Sequence, residues 1–562
     1  MKIEKKIMAS VVLASAVLGV ASGFAAPGEA IPDTIKSDGT IQINRMQQYL
    51  ERERVNRQIA EDRAANKAKV EQEKRPQSVQ TEALSFTLKK IVIDGTSSVL
   101  SAEELEAITQ PYEGKSVTLQ DIYGIVEKIN AVYAVKGYVT CRAFLPPQTV
   151  EDGTVKLILV EGKTGTYTVT GNRYTHSSYI VNRLHLSEGK IANIHVLNND
   201  MLRFNATNST QLRIIMKAGA KPGTTDYEIT AYEPQRETWT VFEDNAGSDT
   251  SGLYRTGLFY TTKSVSGYND PLSIGTVYSE GMKAANITYS HYLGRSGTKM
   301  NLLYSANAVK TIDGAYKDRV KGHANSVGVG FTRPLAVHET MRTELSLDYN
   351  RQASKSDFMV YPYRFNIVDD QVQDIALGLA VTNYGNSYVW YQKHSYTRGY
   401  SKSTPDSHQA ETQHFGFYRF NGLYQKAYAK GKQLNVRADA QWSGTEGMTS
   451  SRQFYIGGMY SVRGYKENYL GGDSGFTIST EYQIPVAHTK TNAFVFFDYG
   501  HIYGSGQSDD AARILASVGV GLRSAICKNI STALTLGVPL RREFPAETVS
   551  KTRMHFVISG QF

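Results

Sequence analysis

The sequence predicts α+β modules followed by a transmembrane antiparallel β-barrel of about 16 strands. Three observations carry this prediction. Beyond residue 236, apolar residues fall on every second position, in segments of about ten residues. Short polar connections in that region alternate with long ones. Past the N-terminal leader, no stretch is long and apolar enough for a transmembrane helix. A membrane-embedded form therefore has to be a closed barrel, the other structure that satisfies its backbone in lipid.

Composition agrees. The 562 residues include 36 Tyr and 48 Gly against 15 Pro, which favours strands over helices. The formal charge of +9 is a mild excess, and no basic cluster interleaves with aromatics, so no nucleic-acid surface is expected. Cys141 and Cys527 fall in different domains, so a disulfide between them is not expected.

Residues 1–25 read as a signal peptide. Lys2, Lys5 and Lys6 precede an apolar run over 7–20, and Gly23, Phe24 and Ala25 give a small-residue exit. Residues 40–75 are rich in Glu, Arg, Gln and Ala, with no Gly or Pro from 43 to 75, which predicts a helix. Few of its apolar residues keep helical spacing. It is expected to lie among polar groups, either in a wet lumen or as a solvated linker helix. A tether over 76–83 follows.

Residues 84–163 predict a first compact module. A strand over 86–93 ends at Asp94 and Gly95. Ser101 and Glu104 have capping-box spacing ahead of a short helix. Leu119, Ile122, Val126, Ile129 and Tyr133 keep helical spacing, and Gly137 stops that helix. Strands over 138–144 and 155–160 flank Pro146, Pro147 and Gln148. A second module, 164–235, shows strands over 167–172, 212–216 and 227–232, and helical stretches over 179–186 and 200–205.

Residues 236–562 are assigned to the barrel. Leu434, Val436, Ala438, Ala440 and Trp442 alternate with Asn435, Arg437, Asp439 and Gln441. Charges on the polar face suit a wet interior. Connections over 429–432 and 527–529 are short, and those over 352–370, 397–412 and 444–473 are long. Outer-membrane barrels have this asymmetry.

The loop 444–473 carries Val462, Arg463, Gly464 and Tyr465. The second strand after it places Phe496, Asp498 and Gly500 on one face and Val495, Phe497 and Tyr499 on the other. The second set suits lipid, so Asp498 is expected to point inward. A guanidinium offers a carboxylate a planar fork, and the pair survives partial burial where one charge alone would not. In isolation, an Arg-Gly-Tyr loop is common and reads better as a surface loop whose Arg meets water.

Gly137 to Thr140, Leu145-Pro146-Pro147-Gln148 and Val160-Glu161-Gly162 resemble the first POTRA module of two-partner secretion transporters. The stretch 164–235 is similar to their second. Val-Arg-Gly-Tyr, Phe-x-Asp-x-Gly and the terminal Phe562 resemble the same proteins: the TpsB, or ShlB/FhaC/HecB-type haemolysin activation/secretion, family within the BamA superfamily. This resemblance implies an outer-membrane translocator with its POTRA modules in the periplasm. It would recognise an unfolded TpsA-type adhesin or haemolysin and export it through the barrel. It further implies that the helix 40–75 plugs the pore at rest and that loop 444–473 stays lodged inward through Arg463 and Asp498. Phe562 would signal to the outer-membrane insertion machinery, and the barrel would face outer-membrane lipid. Client capture is expected by strand addition at a module edge, with 227–232 as the stretch to test.

The alternative is a BamA-like insertase, a type that usually carries more POTRA modules and lacks the N-terminal helix. A passive porin has no use for two modules, and a barrel hydrolase needs a catalytic set. Gly472-Asp473-Ser474-Gly475 matches the surroundings of a trypsin-like nucleophile, but no His stands in a supporting motif. No His-Glu-x-x-His, paired Cys-x-x-Cys, Gly-x-Ser-x-Gly or P-loop occurs. No catalytic residue, metal site or cofactor is expected.

Overall fold

The computed structural model describes residues 33–65, 70–72, 85–404, 410–504, 513–545 and 547–562. The expected signal peptide and the tether over 76–83 lie outside these residues.

The N-terminal helix α1 (Asp38–Ala65) has 28 residues. At 1.5 Å per residue it is about 42 Å long, more than a hydrocarbon core of about 30 Å. The described helix reaches Ala65, and residues 66–69 lie outside the described residues. Glu71–Gln72, expected as helix, form a short strand, β1, paired with the second module.

The first module contains β2 (Lys90–Asp94), α2 (Ala102–Thr109), α3 (Leu119–Val135), β3 (Cys141–Phe144) and β4 (Thr154–Glu161). β2 lies parallel to β4, and β3 antiparallel to it. The Ser101/Glu104 capping box is formed, and Thr118 with Asp121 makes another at the start of α3. Ile122, Ile125, Val126, Ile129 and Tyr133 of α3 pack on Val155, Leu157 and Leu159. Gly137 takes φ +87°, a left-handed conformation that ends the helix cheaply only for Gly. Cys141 is buried in this core, Cys527 is exposed, and both are free thiols. Burial pushes the Cys141 thiol up to about 11.

The second module contains β5 (Lys163–Thr170), α4 (Ile194–Thr207), β6 (Gln211–Ala218) and β7 (Thr224–Tyr232), with a short helix, Ser177–Val181, between β5 and α4. Its sheet order is β1-β6-β7-β5. The stretch 227–232 is therefore central, paired on both sides, and is no edge for an added strand.

Sixteen antiparallel strands close the barrel. The first, Glu237–Asp244, pairs with the last, Arg553–Gln561. Phe562 completes the seam: its N–H donates to the Trp239 carbonyl at 2.8 Å, and Trp239 N–H donates to the Phe562 carbonyl at 2.9 Å. The burial pattern is the reverse of a soluble domain's. Asn286, Ser305, Ser326, Glu344 and Asp374 are buried inside, while Leu258, Ile375, Leu377, Val495 and Val520 are exposed outside. Among the described residues, no helix is long and apolar enough to cross a membrane.

Two expected loops are largely strand. The seventh and eighth barrel strands run Met341–Val360 and Tyr363–Tyr384, so 352–370 is a long paired hairpin. The ninth continues to Ser403, and the tenth begins at Glu411. Side chains such as Ser354, Lys355, Ser356 and Asp357 hide the alternation there, because consecutive polar residues occupy both faces of the outgoing strand.

Helix α1 lies within the lumen. Its few apolar residues are buried or half-buried against apolar wall residues, contrary to the expected all-polar setting. Val55 and Ile59 join Ala380, Tyr384, Val389, Tyr391 and Leu423 of the wall. Met46 and Leu50 pack against a cluster containing Phe242, Phe259 and Val277. A helix enclosed on all sides needs no single apolar stripe, which is why helical spacing missed these contacts.

Candidate functional site: the inward loop and its anchors

The loop between the eleventh strand (Gln433–Ser443) and the twelfth (Ser474–Pro485) folds as a hairpin, with Phe454–Ile456 paired to Leu470–Gly472. Its tip meets the thirteenth strand, Thr491–Tyr503. Arg463 Nε donates to Asp498 Oδ2 at 2.8 Å, and Nη2 donates to Oδ1 at 2.8 Å. The main-chain N–H of Arg463 also donates to Oδ2, at 3.0 Å. Asp498 is 0% exposed and Arg463 is 7% exposed, so neither charge has water as an alternative.

The rest of this network was not legible in the motifs. Arg463 Nη1 donates to Glu481 Oε2 at 2.9 Å, and Ser479 Oγ donates to Asp498 Oδ1 at 2.6 Å. Arg523 Nη2 shares Glu481 Oε2 at 3.0 Å. The Phe496 ring lies under the guanidinium, 3.6 Å from centroid to Cζ. Two arginines thus face two carboxylates, and hydrogen bonds cover most of the remaining polar atoms. A buried pair needs such support to offset its desolvation.

The neighbouring motif residues have steric reasons. Gly464 sits at φ +93°, and a Cβ there would meet Gly537 C at 3.2 Å and Pro539 Cδ at 3.3 Å. A Cβ on Gly537 would stand 2.6 Å from Gly464 N. Two backbones therefore touch, and glycine on each side permits it. Gly464 N–H donates to His555 Nε2 of the last strand at 3.3 Å. Tyr465 is fully buried, and its hydroxyl reaches the carbonyls of Ala516 at 3.0 Å and Arg541 at 2.9 Å. Val462 packs with Ile456, Ile502 and Leu515. Gly500 leaves room for it, since a Cβ there would lie 3.0 Å from Val462 Cγ2.

A second anchor holds the loop to the other side of the barrel. Arg452 Nε donates to Asp374 Oδ2 at 2.8 Å, and its Nη1 to Gln352 Oε1 at 2.7 Å. Asp473, from the protease-like tetrapeptide, accepts the N–H groups of Gly447 at 2.7 Å and Met448 at 2.8 Å. That is a turn-closing role.

Helix α1 leans on this loop. Arg45 Nη2 donates to Glu467 Oε2 at 2.7 Å, Arg52 Nη1 to the Tyr460 carbonyl at 2.7 Å, and Asn44 Nδ2 to the Ser451 carbonyl at 2.7 Å. Wall residues complete the fit. Lys393 Nζ donates to Glu51 Oε1 at 3.1 Å. Near the C-terminal end, Arg342 Nη1 donates to Asp62 Oδ1 at 2.8 Å and to the Ala206 carbonyl of α4 at 2.5 Å. Its Nη2 donates to Glu344 at 2.7 Å.

In the first module, Pro146 and Pro147 lead into Gln148, whose side chain acts as a strand partner. Lys156 N–H donates to Gln148 Oε1 at 2.8 Å, and Gln148 Nε2 donates to the Lys156 carbonyl at 2.7 Å. The motif thus ties its connection to β4. No group of metal-binding side chains occurs among the described residues.

Comparison with known proteins matches this arrangement. The profile described as "Haemolysin secretion/activation protein ShlB/FhaC/HecB" matches residues 223–524, and "POTRA domain, ShlB-type" matches 86–162. The chain is 24% identical over 445 residues to the heme/hemopexin transporter protein HuxB of Haemophilus influenzae, covering 75% of this chain and 76% of that protein. It is 22% identical over 489 residues to the outer membrane transporter CdiB of Escherichia coli, covering 82% and 80%. The solved structure of CdiB from Escherichia coli superposes with a TM-score of 0.67 at 19% identity, over 96% of this chain and all of that one. With more than half its length matched by that profile, this chain belongs to the ShlB/FhaC/HecB family of haemolysin secretion/activation proteins.

Proposed function

We propose that this outer-membrane protein exports one unfolded exoprotein of the TpsA type, captured by its periplasmic modules and threaded through the barrel. Family membership supports the translocator role. The observation that carries the mechanism is a lumen occupied by two separable parts. The loop is clamped to the wall by a buried, multiply hydrogen-bonded ion-pair network. Helix α1 is held by polar and charged contacts spread along its length and by two small apolar clusters, a grip a threading chain can replace group by group.

In this reading α1 is the resting plug and leaves when the client arrives. The loop stays, pinned by Arg463 and Asp498, and keeps the wall in register around the passage. Surrounding lipid faces the apolar outer surface, and Phe562 presents the last strand to the insertion machinery during assembly. Depletion of the protein tests the role. Loss of one secreted protein is expected; general loss of outer-membrane barrels would instead support the insertase reading.

A further inference from the structure

The second module joins the barrel at Glu237, so that end of the wall is periplasmic and the opposite strand ends reach the cell surface. Toward the surface, apolar outward residues such as Leu302, Val327, Leu347 and Ile375 give way to tyrosines. Tyr278, Tyr304, Tyr349, Tyr396 and Tyr400 are all exposed, and outward aromatics at such a boundary mark the headgroup level of the bilayer. Basic side chains begin at the same level. Tyr278 stands opposite Lys283, and Arg351 is the next outward residue after Tyr349. Arg398 and Lys402 alternate with Tyr396 and Tyr400 on the ninth strand. Lys310 and Lys321 stand opposite each other on the fifth and sixth.

Three carboxylates here are already engaged. Lys310 Nζ lies 2.5 Å from Asp318 Oδ1, Lys355 Nζ lies 3.3 Å from Asp369 Oδ2, and Arg364 pairs with Asp357. Lys283, Lys321, Arg351, Arg398 and Lys402 make no ion pair among the described residues. An open depression of about 530 Å³ lies among Lys283, Lys310, Lys321, His323 and Arg364, with Glu280 also in its lining. The patch is one-sided. At the outward positions described on the outer halves of the other barrel strands, no Lys or Arg occurs. A general interfacial belt would run round the whole wall, whereas cations gathered on six adjacent strands make a site. Five strand spacings span about 24 Å, too wide for one phosphodiester headgroup. A headgroup with several phosphates on a sugar scaffold matches that width. Asn325, Gln371 and Gln373, outward among the cations, offer amides to its hydroxyls.

We propose that the outer face of the fourth to ninth strands binds a phosphorylated glycolipid of the outer leaflet. Its phosphates sit on Lys283, Lys321, Arg351, Arg398 and Lys402, and its acyl chains lie on the apolar wall beneath. Arginine takes a phosphate through a planar fork and lysine takes it as a point charge. The site rests on the outer-membrane placement and not on the export reading. Bound lipid anchors this side of the wall in the leaflet and leaves the side of the closing seam without such a grip.

Full-length protein in detergent micelles, titrated with bis-phosphorylated lipid A and followed by native mass spectrometry, tests this. The wild type is expected to bind it about tenfold more tightly than dephosphorylated lipid A or phosphatidylglycerol, with affinity falling as salt rises. Lys283→Gln/Lys321→Gln/Arg351→Gln/Lys402→Gln is expected to lose about tenfold in affinity. The four substituted side chains are exposed, and migration in unheated gels checks that the barrel has formed. Arg351→Gln alone, expected to lose about threefold, stands in if the quadruple variant does not fold. Arg333→Gln/Lys426→Gln, outward cations at the periplasmic ends, is expected to bind like the wild type. Equal binding of the two lipid A forms or of phosphatidylglycerol, or wild-type affinity in the folded outer-end variants, overturns the site. An equal loss in the periplasmic-end variant does the same. Inorganic pyrophosphate binding as tightly as lipid A assigns the patch to a soluble anion and overturns the lipid. None of these results bears on export, which the depletion experiment judges separately.

Discussion

Asp498 receives from Arg463 both the side-chain fork and the main-chain N–H, so one carboxylate fixes the direction of the side chain and the position of the loop backbone. Removing the guanidinium leaves a buried carboxylate without its cation, a change worth about 3–5 kcal/mol. Arg463→Ala is expected to cut exoprotein secretion at least tenfold while the barrel still inserts, checked by its faster migration in unheated gels. Arg463→Lys is expected to recover little, because an ammonium cannot make the fork. Normal secretion by Arg463→Ala would remove the loop from the mechanism.

The touching glycines give a second test. Gly537→Val puts a branched side chain where a single Cβ would already stand 2.6 Å from Gly464 N. The loop tip is expected to leave the wall, raising protease cleavage within 444–473 about tenfold. Cleavage at the wild-type rate would mean that this contact does not seat the tip.

Occupancy of the lumen by α1 predicts electrical behaviour. Deleting 42–65 is expected to raise single-channel conductance in planar bilayers several-fold, and Arg342→Ala to increase brief openings without changing the full conductance. A deletion variant with wild-type conductance would end the plug reading.

The two thiols differ enough to report folding of the first module. A maleimide at pH 7.5 is expected to label Cys527 within minutes and Cys141 only after denaturation. Because burial raises the Cys141 value from 9.0 to about 11, the favourable contribution of its neutral form is complete below about pH 9. That contribution is lost as the pH rises through about 11, so the module's melting temperature should drop over that window. Equal labelling of both thiols in the native protein would contradict the packing.

Much of this architecture was readable from residue order because a barrel wall writes its period plainly. Leu434, Val436 and Ala438 face out, Arg437 and Asp439 face in, and the strand follows. The clamp was readable in part: Arg463 and Asp498 stand in recognisable patterns, whereas Glu481, Arg523 and His555 are single residues on three strands. Only closure of the wall brings them together. Arg452 and Glu467 were missed for the same reason, since an isolated charge in a long loop has no spacing to betray a partner. The strand β1 was invisible because its partner lies in a sheet more than a hundred residues away in sequence.

Arg342 bonds at once to the lumen helix, to the second module and to its own barrel strand. Chimeras with relatives have to respect that junction. A graft that imports a foreign leader helix but keeps this wall loses Asp62 and leaves the guanidinium one carboxylate short; a graft of foreign modules alters the geometry at Ala206. Compatible exchanges must carry all three pieces as one inheritance unit.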